Sequence, residues 1–342
     1  MTAGGYKNLV LSGLTLIAGM VLIIGIIFSL QFLLGYAQVR NAPAGWQIIR
    51  PPGEVYTILI VNDTVWTGGK DGLILINRIT GAIMPVPDNP PQFSYVRSII
   101  VDRSGAIWVA HDGGLVRYDS NSWQVIAPAD NVPFSKTLSL IERSDGTLVA
   151  GSVLGVWSYD GKSWTSLVPP VGPVPASADA LFEDRSGNLW VGCVSPVHGG
   201  LYLENSSGWY SVTENNPLLH TSARMITQTR DGSIWVAAGF ANVGGAVVNR
   251  QGSWSNLTAA DGLAGQATRV VYEDRAGRMW VGSEYNGIAV RSDGNWHVLT
   301  TKDGLAGQEV KVMTEDRDGT FWLGTNGGLD RVGPEAVSRR LG

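Results

Sequence analysis

The chain has 342 residues, 44% of them hydrophobic and only 16% charged, with a formal net charge of −4. No basic excess invites nucleic acid and no acidic run marks a solvated tail, so neither a nucleic-acid partner nor a disordered chain is expected. One cysteine, Cys193, excludes an intrachain disulfide and a cysteine-built zinc site, and reads as a small apolar filler.

Residues 1–7 form a short tail. Asn8 to Val39 carries no charge. That run exceeds the ~20 residues needed to cross ~30 Å of hydrocarbon. It also exceeds the ~7–15 apolar residues of a cleaved signal peptide. Gly35-Tyr36-Ala37 offers a small-x-small pattern, but the length favours an uncleaved transmembrane helix over residues 8–39, seated in the lipid bilayer. Lys7 and the α-amine precede the run, and Arg40 and Arg50 follow it, so the positive-inside rule is close to a tie. Residues 40–44 then make a short linker.

Residues 45–332 carry two tryptophan series. The first is Trp66, Trp108, Trp190, Trp235, Trp280 and Trp322, with Val149 in the third slot, at spacings of 42, 41, 41, 45, 45 and 42 residues. The second is Trp123, Trp164, Trp209, Trp254 and Trp296, with Ile83 in the early slot. Each unit reads as four short strands, a to d, separated by Gly, Asp, Asn and Ser turns. In the second unit these are Val96–Val101, Ala106–Ala110, Leu115–Tyr118 and Trp123–Ile126. Four-stranded units repeated every ~40–45 residues specify a β-propeller.

The last unit, from Glu309 to Val332, lacks its fourth strand. Gly45-Trp46-Gln47-Ile48-Ile49 resembles Asn295-Trp296-His297-Val298-Leu299 and supplies it. The fold class expected is therefore all-β, a seven-bladed propeller whose N-terminal strand closes the last blade. One transmembrane helix precedes it, and residues 333–342 follow as a tail. Closure removes an exposed sheet edge.

The units resemble the two-component-regulator propeller repeat, whose hallmark Asp-x-x-Gly-x-x-Trp-x-Gly stands at Asp184 to Gly192 and Asp316 to Gly324. The connector Asp-Gly-Leu stands at Asp261-Gly262-Leu263 and Asp303-Gly304-Leu305. The resemblance implies an extracytoplasmic ligand sensor, with the N-terminus cytoplasmic and the propeller outside. Seven residues precede the apolar run and nothing after the repeats resembles a kinase, so the output is expected to come from a partner protein.

The repeated residues read first as structure. Trp wedges between blades, and its indole N–H is expected to find a carbonyl. The Asp caps its own turn. Arg103, Arg143, Arg185, Arg230, Arg275 and Arg317 recur and read as turn or inter-blade contacts. Trp157 falls outside both series.

Candidate binding residues lie where the repeat breaks. Six residues before each recurring Arg stand Arg97, Thr137, Asp179, Arg224, Arg269 and Lys311. Four basic residues at the start of strand a predict a cationic channel mouth and a small anionic ligand. The alternative is pairing with loop acids such as Asp303 or Glu309. Two expanded b–c loops, one holding His198 and the next Phe240 and Asn242, suggest a binding ledge on the same face, with Tyr285 in the following loop.

Catalysis has little support. His111, His198, His220 and His297 show no metal-ligand spacing, and no nucleophile or phosphate motif occurs. No cofactor or metal is expected. Propeller lyases of the streptogramin-inactivating type share a similar repeat and use a channel histidine with magnesium, a role open only to His111 or His198. The expected function is a non-enzymatic binding or scaffold module, or an accessory subunit of a larger membrane complex.

Overall fold

A computed structural model describes residues 3–40, 42–126, 136–167, 175–195, 199–215 and 220–341. It divides into two units, residues 1–42 and residues 43–342. The first unit is one helix, α1, Ala3–Arg40. Its segment Leu16–Gly35 has a mean hydropathy of 2.6 and is long and apolar enough to cross a membrane. A helix satisfies every backbone polar group within itself, which hydrocarbon demands.

The second unit is seven four-stranded antiparallel sheets. Six blades take their strands consecutively. In the second blade these are Val96–Val101, Ile107–His111, Gly114–Tyr118 and Trp123–Ile126. The seventh combines Val310–Glu315, Phe321–Thr325 and Gly328–Val332 with β1, Trp46–Ile49, from the other end of the unit. Trp46 pairs with Val332 and Ile49 with Leu329. The closure expected from the Trp46 and Trp296 segments is the one observed.

The closing strand is pinned by a buried carboxyl. Trp46 Nε1 donates to Asp330 Oδ1 at 2.8 Å, and the Ala306 amide donates to both Asp330 oxygens at 3.0 Å. Complete burial pushes the Asp330 carboxyl up to about 7, against the pull of those hydrogen bonds and of Arg50.

Blades pack through the first tryptophan series. Trp108 meets Leu140, Leu148 and Ala150 of the next blade, and Trp157, outside both series, fills the rim of that same cluster. Trp280 stacks at a tilt on Phe321 of the last blade, centroids 5.3 Å apart. Four of the first-series indole N–H groups differ from expectation, donating not to carbonyls but to the turn aspartates six residues earlier: Trp108 to Asp102, Trp190 to Asp184, Trp280 to Asp274 and Trp322 to Asp316, at 2.8–3.2 Å. In the second series Trp123 does find a carbonyl, that of Pro87, at 2.9 Å. Each carboxylate also accepts turn amides, as Asp184 does from Ser186 and Asn188. A carboxylate serves better than a carbonyl because its oxygens can take the indole and the turn together.

The recurring arginines do bridge blades. Arg103 donates to the Arg143 carbonyl at 3.0 Å, Arg185 to the Arg230 carbonyl at 3.3 Å, and Arg317 to Asp63 at 2.7 Å across the closure. Blade three departs from the pattern. There Gly146 closes its turn on Arg143, so Arg143 occupies the slot that Asp102 fills in blade two. Val149 replaces the tryptophan in the same blade, so no indole lacks its acceptor. Arg143 reaches instead to Glu183 and Glu204 of blade four.

The last residues, read from sequence as a tail, form helix α2, Pro334–Leu341. Ala336 and Val337 are buried in the cluster that holds Trp46. The Gly333 amide donates to the Gly45 carbonyl at 2.9 Å, so both ends of the propeller share one anchorage.

Candidate binding site at the channel mouth

Strands a line the central channel, and in six blades the a–b register slips at one residue near the start of strand a. The residues skipped are Arg97, Leu138, Asp179, Arg224, Arg269 and Lys311. A bulge leaves its residue unpaired and re-aims the side chain. In blade one, Tyr56 holds the same place, its amide bonding the Gly68 carbonyl at 2.7 Å. These side chains, with Glu309, wall one cavity of about 110 Å³.

Sequence spacing thus brought Arg97, Asp179, Arg224, Arg269 and Lys311 to one site. It misplaced one member. Thr137 is fully buried and pairs with Ser152 on strand b, while Leu138 takes the ring position. Counting back from Arg143 failed because that arginine stands one place early in its turn. Tyr56 was missed because blade one has the short hairpin Asn62-Asp63 in place of the Asp-x-x-Gly turn, leaving no recurring arginine to count from.

The cations are paired, largely as the alternative reading had it. Arg97 Nε meets Asp112 at 2.6 Å. Arg224 meets Asp179 at 3.2 Å. Arg269 bridges Glu284 and Glu309, the latter at 2.9 Å. Lys311 bridges Glu309 at 2.7 Å and Glu54 at 3.0 Å. Glu309 is a partner, as anticipated; Asp303 is not. It accepts from the Thr300 amide at 3.0 Å and pairs with Arg340 at 3.4 Å. The mouth is therefore charge-alternating, not uniformly cationic.

Compensation is uneven around the ring. On one side Lys311 sits 4.3 Å from the Tyr56 ring centroid and Arg97 4.3 Å from that of Tyr95. Tyr56 and Tyr95 meet edge to face at 5.1 Å. Burial works against the Lys311 ammonium, but its bonds to Glu309 and Glu54 and the nearby Tyr56 outweigh it and hold its pKa up. On the other side burial, then the Arg269 charge, pulls the Arg224 pKa down, with Asp179 only partly offsetting. Burial pushes the Asp179 carboxyl up despite Arg224, Arg97 and Arg269.

The rim carries apolar side chains. Phe240 and Val243 pair at the tip of an extended b–c hairpin in blade five, and both are more than half exposed. Ala241 and Asn242 make its turn in the left-handed region, at φ 50° and 67°. Tyr285 and Leu154, in the b–c loops of blades six and three, are also exposed. His198 lies outside the described residues. His111 is buried and does not line the cavity. Its Nδ1 accepts the Gly113 amide at 3.2 Å, and Phe93 packs edge-on at 5.7 Å. Burial lowers its pKa. His220 likewise accepts the Ser222 amide at 3.1 Å. Among the described residues, no three His, Cys, Asp or Glu side chains are grouped to hold a metal ion.

Residues 262–285 and 304–327 match the two component regulator propeller family. No curated protein matches the chain. Among solved structures, the extracellular domain of a putative hybrid two component system from B. thetaiotaomicron is similar at 16% identity and a TM-score of 0.74, over 88% of this chain and 43% of that chain. The chain therefore spans less than half the length of that structure. Virginiamycin B lyase from Staphylococcus aureus is similar at 13% identity and a TM-score of 0.63, over 84% and 98%. YCF48 bound to D1 peptide gives 13% and 0.63, over 84% and 96%. At these identities the likeness is one of fold. The two matched stretches each run from a connector glycine, Gly262 or Gly304, through the bulged strand a and the Asp turn into the b–c loop. The chain is a seven-bladed propeller in which two stretches, in the last two blades, match the two component regulator propeller family.

Proposed function

We propose that this protein is a membrane-anchored recognition module, with its N-terminus cytoplasmic and its propeller outside, which binds through the b–c face. One observation carries the reading. The face bearing the a–b turns spends its recurring charges on the protein itself, through the Asp–indole bonds and the arginine bridges. The b–c face carries the bulge ring, the cavity and the exposed Phe240, Val243 and Tyr285. Loops and rims on a rigid scaffold are where recognition concentrates. The reading is non-catalytic. His111 commits its acceptor nitrogen to loop amides, and the ring's acids and bases neutralise one another. The extracellular domain of a putative hybrid two component system among the similar structures supports a sensing role, with the output in a partner reached through the membrane helix.

Two measurements test this. A cysteine introduced at exposed Ser206 should react with a membrane-impermeant maleimide on intact cells. The native Cys193 will not interfere, since it is buried and its thiol is pushed up to about 12 by that burial. Labelling only after lysis contradicts the orientation. The double variant F240S/Y285S should lose a stoichiometric partner in mild detergent while keeping its thermal stability; retention of every partner contradicts the face assignment.

A further inference from the structure

Arg269 is nine-tenths buried, yet its hydrogen bonding is incomplete. Nε goes to Glu309 and Nη2 to Glu284, while Nη1 is buried with no hydrogen-bond partner. Arg224 repeats the defect. Nη1 reaches Asp179 at 3.2 Å and Nε is buried without a partner. Buried polar groups are ordinarily satisfied, and each exception calls for a cause. Here two exceptions fall on neighbouring guanidinium groups that wall the same cavity. The cavity has four cationic side chains, Arg97, Arg224, Arg269 and Lys311, against two acids, Asp179 and Glu309. The remaining acids, such as Asp112 and Glu284, lie behind the cations as ion-pair partners.

We propose that the channel mouth binds a small monocarboxylate, its oxygens taking the unused donors of Arg224 and Arg269. A planar carboxylate suits guanidinium N–H groups. A dianion suits the site less, because Asp179 and Glu309 face it. A zwitterion would set its ammonium among four cationic side chains, with Asp179 and Glu309 already paired to Arg224, Arg269 and Lys311. A volume of about 110 Å³ admits about four or five heavy atoms. Leu138 and the Tyr56 ring supply an apolar wall for a short carbon chain. Asp179 is the internal competitor: it already holds one Arg224 donor and lies in the fields of Arg97 and Arg269. The charged Asp179 carboxylate therefore repels the ligand without taking its donors, and binding tightens when Asp179 is neutral.

The site belongs to the b–c face and so rests on the recognition reading, but its failure would leave the rim contacts of Phe240 and Tyr285 untouched. The test uses the full chain in detergent micelles, with propionate as probe, followed through its methyl proton resonance. Saturable binding is expected that sodium chloride at equal ionic strength does not reproduce. Arg224→Gln should weaken it at least about tenfold. Asp179→Asn, close to isosteric, should tighten it by about tenfold, since it removes a like charge a few ångströms away. Glycine should bind more weakly than propionate. Absence of saturation in the wild-type chain overturns the proposal without recourse to any variant. So does equal competition by chloride, unchanged affinity in R224Q, weaker binding in D179N, or tighter binding of glycine.

Discussion

The two faces of the propeller use the same kinds of residue to opposite ends. On the turn face, Asp184 accepts an indole N–H, two turn amides and the Asn188 side chain, and these hold its pKa down against burial. On the mouth face, Asp179 has one arginine at 3.2 Å and a raised pKa. The first carboxylate is satisfied within its own blade; the second is left to its charged neighbours. At the turn face the repeat serves the ring; at the mouth it does so less strictly. Repetition of Asp and Trp at a fixed offset marks internal contacts. Variation at one bulge position, from Tyr56 through Leu138 and Asp179 to Lys311, marks a place the ring does not hold to one residue.

Trp46→Ala should be the most damaging, removing a buried indole from the closing strand and an N–H from Asp330, at a cost of about 3–5 kcal/mol by denaturant unfolding. A loss under about 1 kcal/mol would mean the ring does not depend on its closure. Asp184→Ala should follow at about 2–3 kcal/mol, because the Trp190 N–H is left buried without an acceptor. The pH profile comes next. The Asp330 carboxyl is raised to about 7 in the folded ring, so the folded state holds a proton that the unfolded chain releases near pH ~4. Its contribution is full below about pH 4 and is lost as pH rises towards 7, roughly 2–4 kcal/mol in all. Asp330→Asn should flatten that slope. The lowered turn aspartates, Asp102, Asp184 and Asp316, act in the opposite sense, their contribution present above pH ~4 and lost as pH falls further. Smallest of all should be Arg224→Gln. Both side chains of the Arg224–Asp179 pair are a fifth or more exposed, and Asp179, whose carboxyl burial already pushes up, can take a proton when its partner goes, so stability should change by less than about 1 kcal/mol.

Most of the fold was legible because the blade repeat is written in large residues. The tryptophan spacing located the blades, and the likeness of Trp46 to Trp296 located the closing strand. Helix α2 was not legible, since two buried residues in an eight-residue helix give too short a pattern to read. At the site, spacing found the ring but slipped in blade three, where Arg143 stands in the aspartate slot. Counting eleven residues back from each first-series position would have reached Leu138 in place of Thr137. Of the acids that neutralise the ring, Glu309 was anticipated, but Asp112, Glu284 and Glu54 were missed because they belong to other strands and loops. Asp112 and Glu284 each stand four residues after a first-series tryptophan, which is a usable signal. Whether Arg269 would find one partner or two depends on how close neighbouring blades lie, and no local pattern encodes that distance.

If the b–c face recognises a partner while the turn face holds the ring, the two faces should differ in what they touch. Photocrosslinking amino acids placed singly at Phe240 and Tyr285 on the first face, and at Asn121 and Ser206 on the second, test it in native membranes. All four positions are exposed, so access is comparable. A discrete adduct is expected from Phe240 and Tyr285 and none from Asn121 or Ser206. Adducts from the turn face alone, or from neither face, would contradict it.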